Sequence, residues 1–86
     1  MYYVYLLKSD STDTKYIGCT NDLQNRLAEH NSGKVDSTKN KIPWKLVYYE
    51  AFTSKYDAFI NREKELKQDY TKKRHLLSRL KNSFQE

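Results

Sequence analysis

An 86-residue chain has room for one core, because two domains of half that length would each be too small to bury one unaided. Sixteen Lys and Arg against eleven Asp and Glu give a net charge of +5, and a mean hydropathy of -1.00 leaves no membrane span; polyanions, nucleic acid first, are the expected partners. The start, MYYVYLLKSD, lacks the basic stretch of a secretory signal and Cys19 is the sole cysteine, so a soluble cytoplasmic protein without disulfide or cysteine-built zinc site is expected.

Residues 2–8 (YYVYLLK) and 14–20 (TKYIGCT) are rich in aromatic and β-branched side chains and flank SDSTD, which predicts a β-hairpin. Asn21 with Gln24 fits a capping box, Leu23 and Leu27 recur at helical spacing, and Gly33 suits a left-handed stop, so a helix is expected over 22–31. The polar run NSGKVDSTKNK at 31–41 predicts a long exposed loop. Pro43 then precedes WKLVYYEAF, a third strand at 44–52. Ser54 starts a helix to about residue 68 whose apolar side carries Phe59, Ile60 and Leu66, and Thr71 caps a last helix with Leu76, Leu77, Leu80 and Phe84 on one side. The fold class expected is α/β of the α+β type, ordered ββαβαα, with a three-stranded, mostly antiparallel sheet flanked by helices in a single domain over 1–86.

Three positions break the pattern a fold alone would choose. Glu63 falls within the apolar stripe of its helix at about 100° per residue, so its carboxylate requires a cation, either a Lys or Arg or a metal ion such as Mg²⁺ held with substrate phosphate and water. Arg26 and His30 stand one turn apart on the border of the first helix, where a guanidinium and an imidazole can together engage a phosphate. In the hairpin, a five-residue loop sets Leu7 opposite Tyr16 and Tyr5 opposite Gly18; a strand glycine marks a bulge or a close approach to the backbone. Each tyrosine alone is an ordinary strand residue. Lys72, Lys73 and Arg74 sit at the start of the last helix, against its dipole, a cost that a bound phosphate backbone would offset.

The order VY at 4–5, YIG at 16–18, Arg26 and His30 on the next helix and Glu63 on a later one resembles the GIY-YIG endonuclease superfamily. HNSGK at 30–34, IPWKLVYYE at 42–50 and REKELK at 62–67 resemble its small stand-alone branch, related to the nuclease domain of the bacterial excision-repair incision subunit. The resemblance implies a metal-dependent phosphodiester hydrolase acting on nucleic acid, DNA foremost, with one Mg²⁺ or Mn²⁺ and a place in DNA repair. It matches Tyr5 and Tyr16 to the two motif tyrosines, Gly18 to the end of YIG, Arg26 to the helix arginine, His30 to the Tyr-or-His position one turn later, and Glu63 to the metal-binding glutamate. Tyr3 departs from the pattern, standing where the first half-motif usually has Gly.

Such an enzyme needs an activated water, charge on the transition state and support for the leaving oxygen. The sequence assigns the metal to Glu63, charge on a non-bridging oxygen to Arg26, and the water to Tyr5 as base with Tyr16 positioning it, slightly ahead of the reverse. An ordinary phenol, with a pKa near 10, needs help from His30, Arg26 or the metal. The alternative is a non-catalytic nucleic-acid-binding module that grips phosphates through Lys39, Lys41, Lys45, Lys72, Lys73 and Arg74. A protein-interaction domain using the loop at 34–41 is a weaker third reading. A second copy or a protein partner is the expected route to specificity in a domain this small.

Overall fold

A computed structural model describes residues 1–80; Phe84 lies outside them. Three strands, β1 (Tyr2–Ser9), β2 (Lys15–Thr20) and β3 (Trp44–Phe52), form one sheet in the order β2-β1-β3, with both pairings antiparallel throughout. The register is the expected one, Leu7 opposite Tyr16 and Tyr5 opposite Gly18. A shift in the β1–β3 pairing falls between Leu6 and Leu7, so the sheet's irregularity lies on the other side of β1 from Gly18.

The central strand β1 is buried on both faces. Tyr5 and Leu7 point to one side, where they join Trp44, Tyr16, Leu46, Ile42 and the Leu23 and Leu27 pair of α1 (Leu23–Asn31). Val4 and Leu6 point to the other, with Ile17, Ala58, Leu66 and Leu76. Alternation along one strand therefore sorts two cores: α1 covers one, and α2 (Lys64–Gln68) and α3 (Tyr70–Arg79) cover the other.

Local chemistry corrects the expected helix boundaries. Asp22, not Asn21, caps α1: its carboxylate accepts from the Asn25 amide at 3.1 Å, while Thr20 Oγ1 accepts from the Asp22 amide at 3.0 Å. Gly33 adopts φ +81° just past the helix end, the left-handed stop its type favours. Asp69, not Thr71, caps α3, accepting from the amides of Thr71 and Lys72. The helix beginning near Ser54 also departs from its expected form, because Tyr56–Glu63 is wound as a π-helix and passes without a break into α2. Wider i→i+5 winding changes which side chains face inward. Ile60, expected in the core, is 51% exposed, and Ala58 is buried instead.

The stretch at 31–41 is not the open loop its polarity suggested. Val35 and Thr38 are buried, a 3-10 turn forms at Lys39–Lys41, and Ser9 Oγ donates to the Lys41 carbonyl at 2.7 Å. Asn31 fastens the far end, its amide donating to the Trp44 carbonyl and accepting from the Trp44 amide.

On the opposite face, Arg62 clamps the helix to β3. Its Nε and Nη2 donate to the two Glu50 oxygens at 2.7 and 2.8 Å, and its Nη1 donates to Glu65 at 2.7 Å. Tyr48 donates to the same Glu50 carboxylate, and Lys72 of α3 donates to Glu65. These groups hold Glu50 below the usual carboxylate range; although burial opposes ionisation, the hydrogen bonds and charge of Arg62 prevail.

Candidate active site

The site gathers where β1 and β2 meet the side of α1 and the end of the π-wound segment. Tyr5 is only 2% exposed. Its ring lies over Gly18, where any Cβ would overlap the phenol carbon and hydroxyl. The close approach signalled by a strand glycine is thus made by the protein's own tyrosine. Tyr16, two residues along β2, is half-buried, and its ring meets those of Tyr5, His30 and Trp44 at centroid distances of 6.4, 5.1 and 6.3 Å.

His30 is wholly buried on α1 and bridges two elements: Nε2 is 2.8 Å from the Tyr5 hydroxyl and Nδ1 is 2.7 Å from Thr38 Oγ1. One donor sequence satisfies all the groups. Arg26 donates to the Tyr5 oxygen, the Tyr5 hydroxyl donates to Nε2, Nδ1–H donates to Thr38 Oγ1, and Thr38 donates to the Val35 carbonyl. In this assignment the imidazole is neutral. Burial lowers its pKa, the Arg26 charge lowers it further, and Glu29 opposes both.

Burial likewise pushes the Tyr5 phenol up to about 12, with the Arg26 hydrogen bond opposing and the negative fields of Tyr16 and Glu63 assisting. Tyr5 is therefore a hydrogen-bond donor with a retained proton at neutral pH. Arg26 is held more firmly protonated, first by Tyr5 and then by Glu29, whose carboxylate is 3.4 Å away.

Glu63 closes the π-wound segment between Phe59, which packs against the core, and the buried Leu66. Its side chain is 23% exposed and pairs with Lys67 at 3.3 Å. Its charge acts on both Tyr5 and Cys19, residues that pack on opposite faces of the sheet. Lys67 also stands over the Tyr16 ring, 5.8 Å from the centroid. A cleft of about 410 Å³ opens beside Arg26, lined also by Cys19, Asn25, Glu29 and Lys55.

The donor set restricts what metal could bind. Among the described residues no group of three or more His, Cys, Asp or Glu converges. Burial, reinforced by Glu63, pushes the Cys19 thiol up to about 12, so it stays protonated at neutral pH. One accessible carboxylate fits a hard ion that keeps its waters and completes its shell with phosphate, as Mg²⁺ does.

The expected phosphate-binding cations are divided. Lys39, paired with Asp36 at 3.6 Å, and Lys41 lie on the turn that docks with the α1 face. Lys72, Lys73 and Arg74 belong to α3 on the other face, where Lys72 is engaged by Glu65. Lys45 is opposite Lys8 in the β1–β3 register, pointing away from the tyrosines. Sequence reasoning missed Thr38, which no local pattern distinguishes from its polar neighbours. It also missed Lys67, for which the i,i+4 spacing from Glu63 was an available signal.

Paired tyrosines on a hairpin, an Arg and His one turn apart on the next helix and a lone Glu on a later one stand on an α+β frame in the order that the GIY-YIG resemblance implies. The chain belongs to the GIY-YIG family: residues 1–76 match the model of the GIY-YIG catalytic domain. Among curated proteins it is similar to a UPF0213 protein of Streptococcus pyogenes serotype M5 (strain Manfredo), 40% identical over 75 residues that cover 86% of this chain and 79% of the relative. It is also similar to a UPF0213 protein of Haloquadratum walsbyi, 35% identical over 85% of this chain and 80% of that one. The solution NMR structure of the UPF0213 protein BH0048 from Bacillus halodurans matches with a TM-score of 0.55 and 37% identity, covering 90% of this chain and 82% of that chain. No helix among the described residues is long and apolar enough to cross a membrane.

Proposed function

We propose that the protein is a metal-dependent endonuclease that hydrolyses phosphodiester bonds in nucleic acid, with DNA as the first substrate to test. The observation that supports it best is the cluster of Tyr5, Tyr16, His30 and Arg26 from β1, β2 and α1, with the charge of Glu63, from a fourth element, acting on Tyr5. A structural role alone does not require an arginine, two phenols and an acid to influence one another.

Glu63 is the residue that would hold Mg²⁺ or Mn²⁺, and the ion, when bound, would supply Lewis-acid charge to the phosphate and the leaving oxygen. Arg26 sits at the mouth of the cleft and neutralises a non-bridging phosphate oxygen. The two tyrosines divide their work according to burial. Tyr5, committed to His30 and carrying a raised pKa, holds Arg26 and donates. Tyr16, half-buried, meets the attacking water and takes its proton as the water oxygen bonds to phosphorus and the bond to the 3′-oxygen breaks. This reverses the order of preference given to the two phenols by the sequence. His30, buried and neutral, keeps Tyr5 in orientation by passing its other hydrogen bond to Thr38.

The test is a cleavage assay on single-stranded, duplex, flapped and branched DNA and RNA with Mg²⁺ and Mn²⁺. Glu63→Ala is expected to abolish cleavage and leave nucleic-acid binding largely intact. Tyr16→Phe is expected to lower the rate more than Tyr5→Phe at equal folded fraction. Unchanged turnover in Glu63→Ala removes the metal assignment, and binding without cleavage under either metal favours the non-catalytic module.

A further inference from the structure

Glu63 is the last residue of the π-wound segment, and Lys67 lies on the α-wound turn that follows. Return to α-helical winding at this point restores the ordinary i,i+4 geometry, with Glu on the N-terminal side, its better orientation. The Lys67 ammonium is 3.3 Å from Glu63 Oε2, and among the described residues it is the ion-pair partner of that carboxylate. It also lies over the Tyr16 ring. Its side chain is 46% exposed, with no second carboxylate at salt-bridge distance among the described residues, so its ammonium can turn aside into solvent. Arg62, the residue before Glu63, is the opposite case, held at three nitrogens by Glu50 and Glu65.

We infer that Lys67 is the resident counter-cation of Glu63 and competes with the divalent ion for its carboxylate. Ammonium and metal cannot both take that carboxylate at close range without mutual repulsion. Metal loading therefore displaces Lys67, and the displaced charge remains beside Tyr16, where a substrate phosphate stabilises it. Lys67 is a positioning residue that couples metal occupancy to the arrival of the polyanion: without phosphate the ammonium holds Glu63, and with it the site accommodates both cations. The inference rests on the reading of Glu63 as the metal-holding residue.

The test is a Mn²⁺ titration of the full chain without nucleic acid, with free Mn²⁺ followed by electron paramagnetic resonance. Lys67→Met is expected to bind Mn²⁺ about two- to fivefold more tightly than the parent, the range set by a solvent-exposed ion pair. Lys67→Arg is expected to match the parent, and Glu63→Gln to lose the binding. In cleavage assays the half-saturating Mg²⁺ concentration of Lys67→Met should fall. Mn²⁺ affinity in Lys67→Met equal to or weaker than the parent's, while Glu63→Gln is impaired, overturns the inference but leaves the metal reading intact. Binding unaffected by Glu63→Gln overturns the metal reading and this inference with it, as does absence of Mn²⁺ binding in both the parent and Lys67→Met. Thermal melts of all variants, expected within a degree or two of the parent, verify folding.

Discussion

Arg62 and Glu63 are adjacent residues of one helix, yet their surroundings differ in kind. Arg62 faces β3 and makes a bidentate pair with Glu50 plus a bond to Glu65, with side chains 23%, 19% and 31% exposed. Glu63, also 23% exposed, has one ion-pair contact among the described residues, at 3.3 Å to a half-exposed lysine. The first arrangement has almost every lone pair and N–H assigned; the second leaves a carboxylate with coordination to spare. A charge embedded in a filled network fixes the frame, whereas a charge with an exchangeable partner is available for chemistry. The π-winding that ends at Glu63 delivers both orientations from consecutive positions, consistent with the frequent association of such winding with functional sites.

Exchange of roles between these two residues would break the comparison. Glu63→Ala is expected to reduce cleavage by about a thousandfold or more, the scale on which lost electrostatic stabilisation is felt. Its melting temperature should remain within a few degrees, because the single ion pair of Glu63 among the described residues is to the half-exposed Lys67 and contributes about 1 kcal/mol or less. Arg62→Ala is expected to do the reverse, costing about 2–3 kcal/mol by leaving Glu50 and Glu65 without their shared cation; this discounts the fully buried case for partial exposure. Urea melts beside single-turnover rates would separate the two. Equal destabilisation by both substitutions would erase the distinction.

Gly18→Ala sharpens the same contrast on the hairpin. The new methyl collides with the Tyr5 phenol, so the ring must move or β2 must give way, at an overpacking cost of about 1–3 kcal/mol. Because Tyr5 carries the bonds to His30 and Arg26, the expected result is activity loss beyond what the unfolded fraction explains. A double variant with Tyr5→Phe should recover little of the stability, since the ring carbon as well as the hydroxyl overlaps the added methyl.

The sheet was legible because strand composition and a five-residue turn determine both pairing and register, and Tyr5 opposite Gly18 followed from counting residues. The caps were displaced by one or two positions because Asp22 and Asp69 offer carboxylates where Asn21 and Thr71 offered weaker signals. Helical periodicity failed at Ile60 because it presumes α-winding, and hydrogen-bond ring size leaves no mark on composition. Thr38 was out of reach for another reason. Its burial comes from Trp44 donating to its carbonyl and His30 meeting its hydroxyl, partners six and eight residues away whose approach no helical or strand periodicity encodes. Clustered side chains can be listed from motifs; their order of burial, which separates Tyr5 from Tyr16, requires the tertiary structure.

The smallest expected effect separates the site from the clamp by pH. His30 is held neutral, its pKa below the ordinary 6.5, so the unfolded chain takes up its proton more readily than the folded one. The stabilisation from neutral His30 is complete above 6.5 and is lost as pH falls from there towards the lowered folded value. Glu50 is also depressed, but from 4.5, so the clamp's contribution persists until the solution is more acidic than that. Between about pH 5 and 6.5 the relay from Tyr5 to Thr38 should therefore weaken while the Arg62 clamp still holds. The expected observation is a decline in melting temperature from pH 7 to pH 5 that is reduced in His30→Gln and preserved in Glu50→Gln. A parent protein whose melting temperature is flat across that interval would mean that His30 accepts a proton without cost, and the donor sequence through Tyr5 would have to be redrawn.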